Sequence, residues 1–310
     1  MEILQGNFTQ LPNTVIKGDK ELTSKELTIL TIILMTRNSK NICSFNIQFI
    51  YDILNIKDNN SRAKKEIKKI LNILQDEEIL QFNNSIFMLE NEFIKDITYI
   101  DKNKNIFAYV LEDLTYNFTL ILDNDIYNLI QYSYKNNIDT YSLIKTYIYI
   151  CSCINTDSNS IEYLLAFPKI LTIAEVVEVN EKTVLKHLKI LKDLNIFVFD
   201  YSGYKEDRNG KVKIKNDVMY YTRPENIKLL LDRLQQKRNE EGFISINKRS
   251  KDKSNLKRKL KGEINSILNK QKNNKSTILE DEKLKLLQEE YNKLNWQRLR
   301  KRKFIFIKVI

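Results

Sequence analysis

The chain has 310 residues, which include 51 Lys or Arg, 40 Asp or Glu, three Cys, six Gly and one His, and this length predicts two domains with an appendage. No G-x-x-x-x-G-K-[ST] motif, G-x-G-x-x-G motif or C-x-x-C pair occurs, so we expect no nucleotide loop, no cofactor and no metal site. The first residues do not resemble a signal peptide and no apolar run approaches the roughly 20 residues that span a bilayer, which predicts a cytoplasmic protein.

Residues 1–100 predict three helices followed by a β-hairpin. Apolar residues at helical spacing mark the helices, and two short apolar segments around a polar turn mark the hairpin. The predicted elements are a helix over Ser24–Arg37, a short helix near Phe45–Leu54, a lysine-rich helix over Arg62–Gln75 with Ser61 as its N-cap, and strands Ile79–Phe82 and Ile86–Leu89 around Asn83-Asn84.

Residues 101–238 repeat this order. The segment that starts at Phe118 begins like the segment that starts at Phe8, which indicates an internal duplication. The predicted elements are a helix over Thr140–Asn155, a short helix over Ile173–Glu178, a lysine-rich helix over Glu181–Leu194 with Asn180 as its N-cap, strands Ile196–Phe199 and Val212–Ile214 around a polar loop, and a helix from Pro224 to about Gln236.

Helix, helix, helix and hairpin is the order of a winged helix. We therefore predict a mainly α fold with small β-hairpin wings, of the α+β class. Tandem winged-helix domains would precede a basic C-terminal helical appendage. The predicted domains are a first winged helix over residues 1–100, a second with a trailing helix over 101–238, and a basic linker with a helical region over 239–310.

The first lysine-rich helix is amphipathic. Its apolar stripe should pack on the preceding helices, which leaves a basic stripe free to enter a major groove; the alternative is an ordinary solvated face. The apolar residues are Ala63, Ile67, Ile70, Leu71 and Leu74. The predicted DNA-binding residues are Ser61, Arg62, Lys65, Lys68, Lys69 and Asn72. The acidic residues 76–78 would repel phosphate, so contact should concentrate in the N-terminal half.

The second lysine-rich helix has the same character. Val184, Leu185, Leu188 and Leu191 are predicted to face inward. The predicted DNA-binding residues of this helix and of the wing loop that follows are Lys182, Thr183, Lys186, Lys189, Lys205, Arg208, Lys211 and Lys213.

Two segments carry a family resemblance. The helix over residues 180–191, with its Thr183-Val184 pair, resembles the third helix of bacterial winged-helix regulators. The opening Phe8-Thr9-Gln10-Leu11-Pro12-Asn13-Thr14, followed by Leu22-Thr23-Ser24-Lys25-Glu26-Leu27, resembles Firmicutes plasmid and phage replication initiators and DnaD-like proteins. The resemblance covers roughly residues 5–225, and the basic tail beyond Gly242 has no counterpart in it. It implies sequence-specific binding to repeated sites at an origin of replication.

Positive charge is concentrated in the C-terminal quarter. Residues 233–310 hold 23 Lys or Arg against 9 Asp or Glu, whereas residues 1–232 are nearly neutral. This asymmetry predicts a polyanionic partner, nucleic acid or an anionic membrane surface, unless it is a solvated charged helix. The residues of this basic tail are Lys257, Arg258, Lys259, Lys261, Arg298, Arg300, Lys301, Arg302 and Lys303.

Two helices are expected in this quarter, and the second has a short heptad seam. The seam consists of Leu284, Leu287, Tyr291 and Leu294. A helical hairpin and a contact for self-association or a replication protein both remain open. Residues 304–310 are apolar except for Lys308. They would pack on the protein body, dock on a partner or lie at a membrane. We favour the first two alternatives because no amphipathic helix of usual length includes these residues.

Catalysis has little support in the sequence. His187 lies beside the inward stripe of its helix and is expected to be a half-buried packing residue or a phosphate contact. Cys151 and Cys153 are two residues apart in a helix and should point to different faces. We therefore expect no enzymatic activity.

The sequence as a whole predicts a protein that binds double-stranded DNA sequence-specifically, as a plasmid or phage replication initiator. One alternative is a transcriptional or partition regulator that uses the same domains. An alternative of another class is a structural adaptor that its basic tail tethers to a membrane or filament.

Overall fold

A computed structural model of the protein describes residues 7–57, 59–112, 117–206, 212–215, 219–243, 258–269, 271, 283–289 and 291. At residues 205, 206, 212–215 and 241 it describes the backbone alone.

Helices predominate in the described chain, and the strands form small antiparallel sheets, which confirms the predicted α+β class. The helices are α1 (Thr14–Lys17), α2 (Ser24–Leu34), α3 (Ile47–Ile53), α4 (Ser61–Asp76), α5 (Asp123–Asn136), α6 (Thr140–Ser152), α7 (Ile170–Val177), α8 (Glu181–Asp193) and α9 (Ile227–Glu241). The strands are β1 (Phe8–Pro12), β2 (Ile42–Phe45), β3 (Leu80–Asn83), β4 (Ile106–Val110), β5 (Phe118–Leu122), β6 (Val198–Tyr201), β7 (Tyr204–Glu206), β8 (Val212–Lys215) and β9 (Met219–Thr222).

The chain forms two compact units. The first comprises residues 1–201 and 216–236, and the second comprises residues 202–215 and 237–310. One continuous set of buried side chains runs through the first unit from Leu11 to Tyr221, across the predicted domain boundary at residue 100.

The first unit contains the same succession of elements twice. In the first copy β2 lies between α2 and α3, β3 and β4 follow α4, and the three strands form a sheet of order β2-β4-β3. In the second copy α6, α7 and α8 are followed by β6 and β9, and Ala166 pairs with Tyr221 on the other edge of β9. Equivalent elements also meet, because β1 pairs antiparallel with β5 and α2 packs on α6.

The paired helices α2 and α6 form the centre of the first unit. Residues 27–34 of α2 and residues 142–151 of α6 are buried without interruption. A helix that is buried on all sides needs partners on all sides, and each of these lies between its own copy and the other. The buried Lys145 shows the cost of this position: its Nζ is satisfied by the Leu22 carbonyl at 2.8 Å and the Glu21 carboxylate at 3.1 Å.

The first predicted hairpin is wrong in its second strand. Residues 86–89 form no strand, and β3 pairs instead with β4, which lies between β2 and β3. The buried side chain of Asn83 turns the chain away, since it donates to the Leu89 carbonyl and accepts from the Ser85 backbone N–H. The loop 84–105 separates the true partners, which local periodicity cannot reveal.

The second predicted hairpin is also corrected. β6 pairs with β9, while residues 212–214 belong to β8, which pairs with β7. Pro224 begins a single 3-10 turn that leads into α9, as its fixed φ favours, and α9 ends at Glu241 rather than near Gln236.

In the second unit, residues 258–269 and 283–289 are helical and pack together. Their buried contact consists of Leu260, Ile267, Leu284 and Leu287. Leu284, Leu287 and Tyr291 of the predicted seam therefore make an intrachain contact, and Leu294 lies outside the described residues. No helix within the described residues is long and apolar enough to cross a membrane.

Candidate nucleic-acid interface

The N-terminus of α4 is capped by Asn60. Its side-chain oxygen accepts from the Ala63 backbone N–H at 3.1 Å, whereas the predicted cap, Ser61, is the exposed first residue of the helix. The assignment of Ser61 as N-cap is thus wrong by one residue, because Asn and Ser are both good caps and stand side by side.

The inner face of α4 is as predicted. Ile67, Ile70, Leu71 and Leu74 are buried, and Ala63 is half-buried. These contacts determine which side of the helix faces outward. Arg62, Lys65 and Lys69 are exposed there, and no hydrogen bond or ion pair to another described residue is formed by their side chains.

The side of α4 that bears Lys68 and Asn72 is covered by the chain itself. Lys68 Nζ donates to the carbonyls of Thr98 at 2.9 Å and Ile100 at 2.8 Å. Asn72 Nδ2 donates to Asp96 Oδ1 at 2.7 Å, while Asn72 Oδ1 accepts from the Ile97 backbone N–H at 2.9 Å.

The prediction that Lys68 and Asn72 point freely outward is therefore wrong. The covering segment comes from the loop between β3 and β4, about 30 residues away in the chain. The hydrogen bond from Asn72, together with those from Thr98, lowers the pKa of the Asp96 carboxyl.

The N-terminus of α8 confirms the predicted cap. Asn180 Oδ1 accepts from the Thr183 backbone N–H at 2.9 Å and from the Thr183 hydroxyl at 3.1 Å. Thr183 thus already uses its hydroxyl proton within the helix. Its hydroxyl oxygen remains an acceptor only, which suits a base amino group better than a phosphate.

The outer face of α8 is open along its whole length. Lys182, Lys186 and Lys189 are exposed, and within the described part of the chain none of them has a hydrogen-bond or ion-pair partner. Lys192 lies further along, with its Nζ 5.4 Å from the centre of the Phe199 ring. Lys182, Lys186 and Lys189 therefore form an exposed basic surface on one side of a helix that its buried residues hold in place.

Leu185 faces outward, contrary to prediction. Its side chain is 47% exposed, whereas Val184 and Leu188 are buried. The buried stripe follows positions 184, 187, 188 and 191, so a residue at position 185 shares the side of Lys182 and Lys189. The spacing in the sequence already places Leu185 on the outer side of α8, and hydrophobicity alone does not establish burial.

His187 is buried beneath α8, with 2% of its surface exposed. Its Nδ1 lies 2.8 Å from Thr146 Oγ1 on α6. Burial lowers the pKa of this imidazole to about 4, against the opposing attraction of Asp139, so the ring is neutral at pH 7. It is a packing residue and not a phosphate contact.

The first turn of α6 lies close to both lysine-rich helices. Tyr141 lines a groove of about 540 Å³ with Asn60 and Ala63 at the start of α4. Lys25 lies 5.7 Å from the centre of the Tyr141 ring and also pairs with Glu66 of α4. Asp139, the N-cap of α6, acts electrostatically on His187 of α8.

The start of α8 differs from the start of α4 in charge. A second groove, of about 680 Å³, lies at the turn between α7 and α8 and is lined by Glu175, Glu178 and Glu181. These carboxylates oppose a phosphate at the α8 N-terminus. For the phosphate backbone of DNA we therefore expect contacts with the lysines of α8 and not with the N–H groups at its N-terminus.

The wing and tail residues are placed only in part. Arg208 and Lys211 lie outside the described residues, and only the backbone is described at Lys205 and Lys213, within β7 and β8. In the basic tail, Arg258, Lys259 and Lys261 are exposed on a helix of the second unit. The tail residues that lie outside the described chain are Lys257, Arg298, Arg300, Lys301, Arg302 and Lys303.

A buried charge network, which sequence reasoning missed, supports the second copy. Arg223 forms an ion pair with Asp125, its Nη2 donates to Tyr147 Oη at 2.8 Å, and Tyr147 donates to Asp125 Oδ2 at 2.8 Å. The only signal for it in the sequence is an acidic residue, Asp125, shortly after the apolar residues at 118–122. In the structure Asp125 joins α5, α6 and the chain after β9.

Neither of the two cysteines whose pKa is shifted, Cys43 and Cys151, has an activated thiol. Burial raises the pKa of Cys43 to about 12 and that of Cys151 to about 11, so both thiols stay protonated at neutral pH. Within the described residues, no three His, Cys, Asp or Glu side chains come together in a metal-binding arrangement.

Comparison with known proteins adds no assignment. No family model matches the chain, and no curated protein matches it.

Proposed function

We propose that this protein binds double-stranded DNA sequence-specifically through tandem winged-helix domains, as a replication initiator for a plasmid or phage. The observation that carries the proposal is the outer face of α8. Lys182, Lys186 and Lys189 stand there without partners in the described chain, on a helix that a buried stripe holds in one orientation. A rigid cationic helix of this kind is the element that enters a major groove.

The element order supports the winged-helix part of the proposal. In each copy one strand or bridging residue lies between the first and second helices, two strands follow the third helix, and the last strand lies between the other two. The last two strands of such a unit form the wing beside the third helix. In this arrangement α4 and α8 are the recognition helices of the two domains.

The role at an origin is supported by the N-terminal resemblance and by the duplication. Residues 8–12 form β1, Asn13 is a turn residue and Thr14 begins α1, and β1 pairs with the equivalent strand of the second copy. Two joined DNA-binding domains match a DNA site that consists of repeats. We further propose that the protein has no nuclease activity and that the basic tail adds sequence-independent phosphate contacts.

The first test measures duplex binding as a function of salt. Each phosphate contact should contribute about −0.9 to the slope of log K against log salt, so K182A/K186A/K189A should reduce the slope by about 2.7 and the affinity by about 100-fold at 0.15 M salt. The charge-matched control is K40A/K135A/K228A, whose lysines are exposed on other elements of the first unit.

Two results would contradict the proposal. One is the absence of duplex binding by the full chain even at low salt. The other is an equal loss of affinity in the control variant, which would mean that net charge, and not the α8 surface, determines binding.

The origin role is tested by selecting bound sequences from random duplexes. We expect the selected motif to occur as repeats near the gene, and a plasmid that carries those repeats to replicate only when the protein is supplied. A motif without repeats and without replication would leave DNA binding intact and overturn the initiator role. Supercoiled plasmid incubated with the protein and Mg²⁺ or Mn²⁺ should remain unnicked.

A further inference from the structure

We propose that Leu185 recognises the C5-methyl group of a thymine in the major groove, so that the preferred duplex has thymine at one fixed position. This inference rests on the proposed DNA binding. It adds a specificity-determining residue and the chemical identity of the base that it recognises.

The position of Leu185 is the first argument. It lies three residues after Lys182 and four before Lys189, which places it on the same side of α8 as these lysines. Its side chain is 47% exposed. An isolated exposed leucine is ordinary on a protein surface, but this one lies beside Lys182 and Lys189, which would bring phosphates close, with Glu181 one turn before it.

The helix cannot turn Leu185 inward. Val184, Leu188 and Leu191 already fill the inner stripe, with exposed fractions of 0%, 1% and 0%. His187 is held to Thr146 on α6, and Asn180 caps the first turn. Rotation of α8 would bury lysine and expose these groups, so the outward position of Leu185 is a property of the folded domain.

The internal duplication provides a comparison. Counted from the capping residues Asn60 and Asn180, Leu185 occupies the position of Lys65 on α4, and both are exposed. A lysine at this position is therefore compatible with the fold. Nothing in the packing of α8 requires a leucine there, which points to a role outside the folded chain.

The chemistry of the groove selects the ligand. The thymine methyl is the apolar group that base pairs present in the major groove, while the other base edges present hydrogen-bond donors and acceptors. Leucine offers neither donor nor acceptor, so it gains from contact with a methyl group and leaves polar edges unsatisfied. Burial of one methyl group predicts about a fourfold gain in affinity.

The experiment replaces thymine by uracil, which removes the methyl group and leaves the hydrogen-bonding edges unchanged. A duplex selected by the full-length protein is synthesised with each thymine replaced in turn. We expect one position at which uracil weakens binding about fourfold. At that position L185A should bind the thymine and uracil duplexes equally. The variant L185K carries the residue that α4 has at the equivalent position, and it should also fail to distinguish the two duplexes.

The outcomes separate this inference from the proposed function. If no thymine is sensitive to uracil, or if L185A retains the sensitivity, the inference is overturned although DNA binding stands. Failure of the wild-type protein to bind any duplex would overturn both. Because Leu185 is exposed, the urea midpoint of L185A should match that of the wild type, which excludes unfolding as the cause of a lost discrimination.

Discussion

The helices α4 and α8 occupy equivalent places in the two copies, yet their outer faces differ. On α4, Lys68 and Asn72 bind backbone and side chains of residues 96–100, so the side of the helix that bears them is closed. On α8, the three lysines of the outer face are exposed throughout. The difference teaches that a basic stripe becomes a binding surface only where the rest of the chain leaves it open.

The two helices also differ underneath. The residue seven positions after the cap is the aliphatic Ile67 in α4 and the titratable His187 in α8. The second copy also contains the buried network of Asp125, Tyr147 and Arg223, which joins α5 and α6 to the chain after β9. The packing beneath α8 therefore depends on pH through His187 in a way that the aliphatic packing beneath α4 does not.

The largest expected effect is on the support of the second copy. The variant D125A leaves the Arg223 guanidinium buried without its carboxylate, which should lower the free energy of unfolding by about 3–5 kcal/mol in urea denaturation. The control Y147F removes only hydrogen bonds and should cost about 1 kcal/mol. A loss below 1 kcal/mol in D125A would show that the network does not hold the second copy.

The next effect separates α8 from α4 by pH. The pKa of His187 is about 4 in the folded protein, below its ordinary value of 6.5, so the unfolded chain binds the proton more tightly. Its contribution to stability is complete above about pH 6.5 and is lost as the pH falls to 4. The loss should amount to about 3 kcal/mol.

The variant H187Q does not titrate, so the difference in unfolding free energy between it and the wild type should change by that amount between pH 7 and pH 4. A constant difference across this range would contradict the burial of a neutral imidazole. Ile67 does not titrate, so α4 should not lose its structure before α8 as the pH falls. Loss of α4 before α8 would contradict this difference between the two helices.

A smaller effect distinguishes two neighbouring lysines of α4, Lys68 and Lys69. K68A removes two hydrogen bonds and should lower the free energy of unfolding by about 1–2 kcal/mol, without changing the salt slope of duplex binding. K69A should do the opposite: stability within about 0.5 kcal/mol and a slope smaller by about 0.9. Equal slopes in the two variants would mean that Lys68 reaches DNA despite its bonds to residues 98 and 100.

The smallest effect tests the caps. N60A and N180A should each lower the free energy of unfolding by about 1 kcal/mol, because each leaves a backbone N–H at a helix start without its acceptor. S61A should change it by less than 0.5 kcal/mol. If S61A proved the costlier change, the assignment of Asn60 as the cap of α4 would be wrong.

Sequence reasoning succeeded where information is local. The apolar spacing of Ile67, Ile70, Leu71 and Leu74 predicted both the helix and its buried face, and Asn180 was recognised as a cap from its place before such a stripe. It failed for Leu185, where residue type was weighed above spacing. It also failed for β4, whose partners lie beyond a long loop.

By itself the sequence determined the lysine-rich helices with their buried faces, the cap at Asn180 and the duplicated order, because these depend on residues within one or two turns of each other. Only the tertiary structure decided which cations remain free, where β4 pairs and that Asp125 meets Arg223. Those outcomes depend on which distant segments fill the space beside a residue. Residues 96–100 reach Lys68 because the chain returns there to supply the central strand of the first sheet.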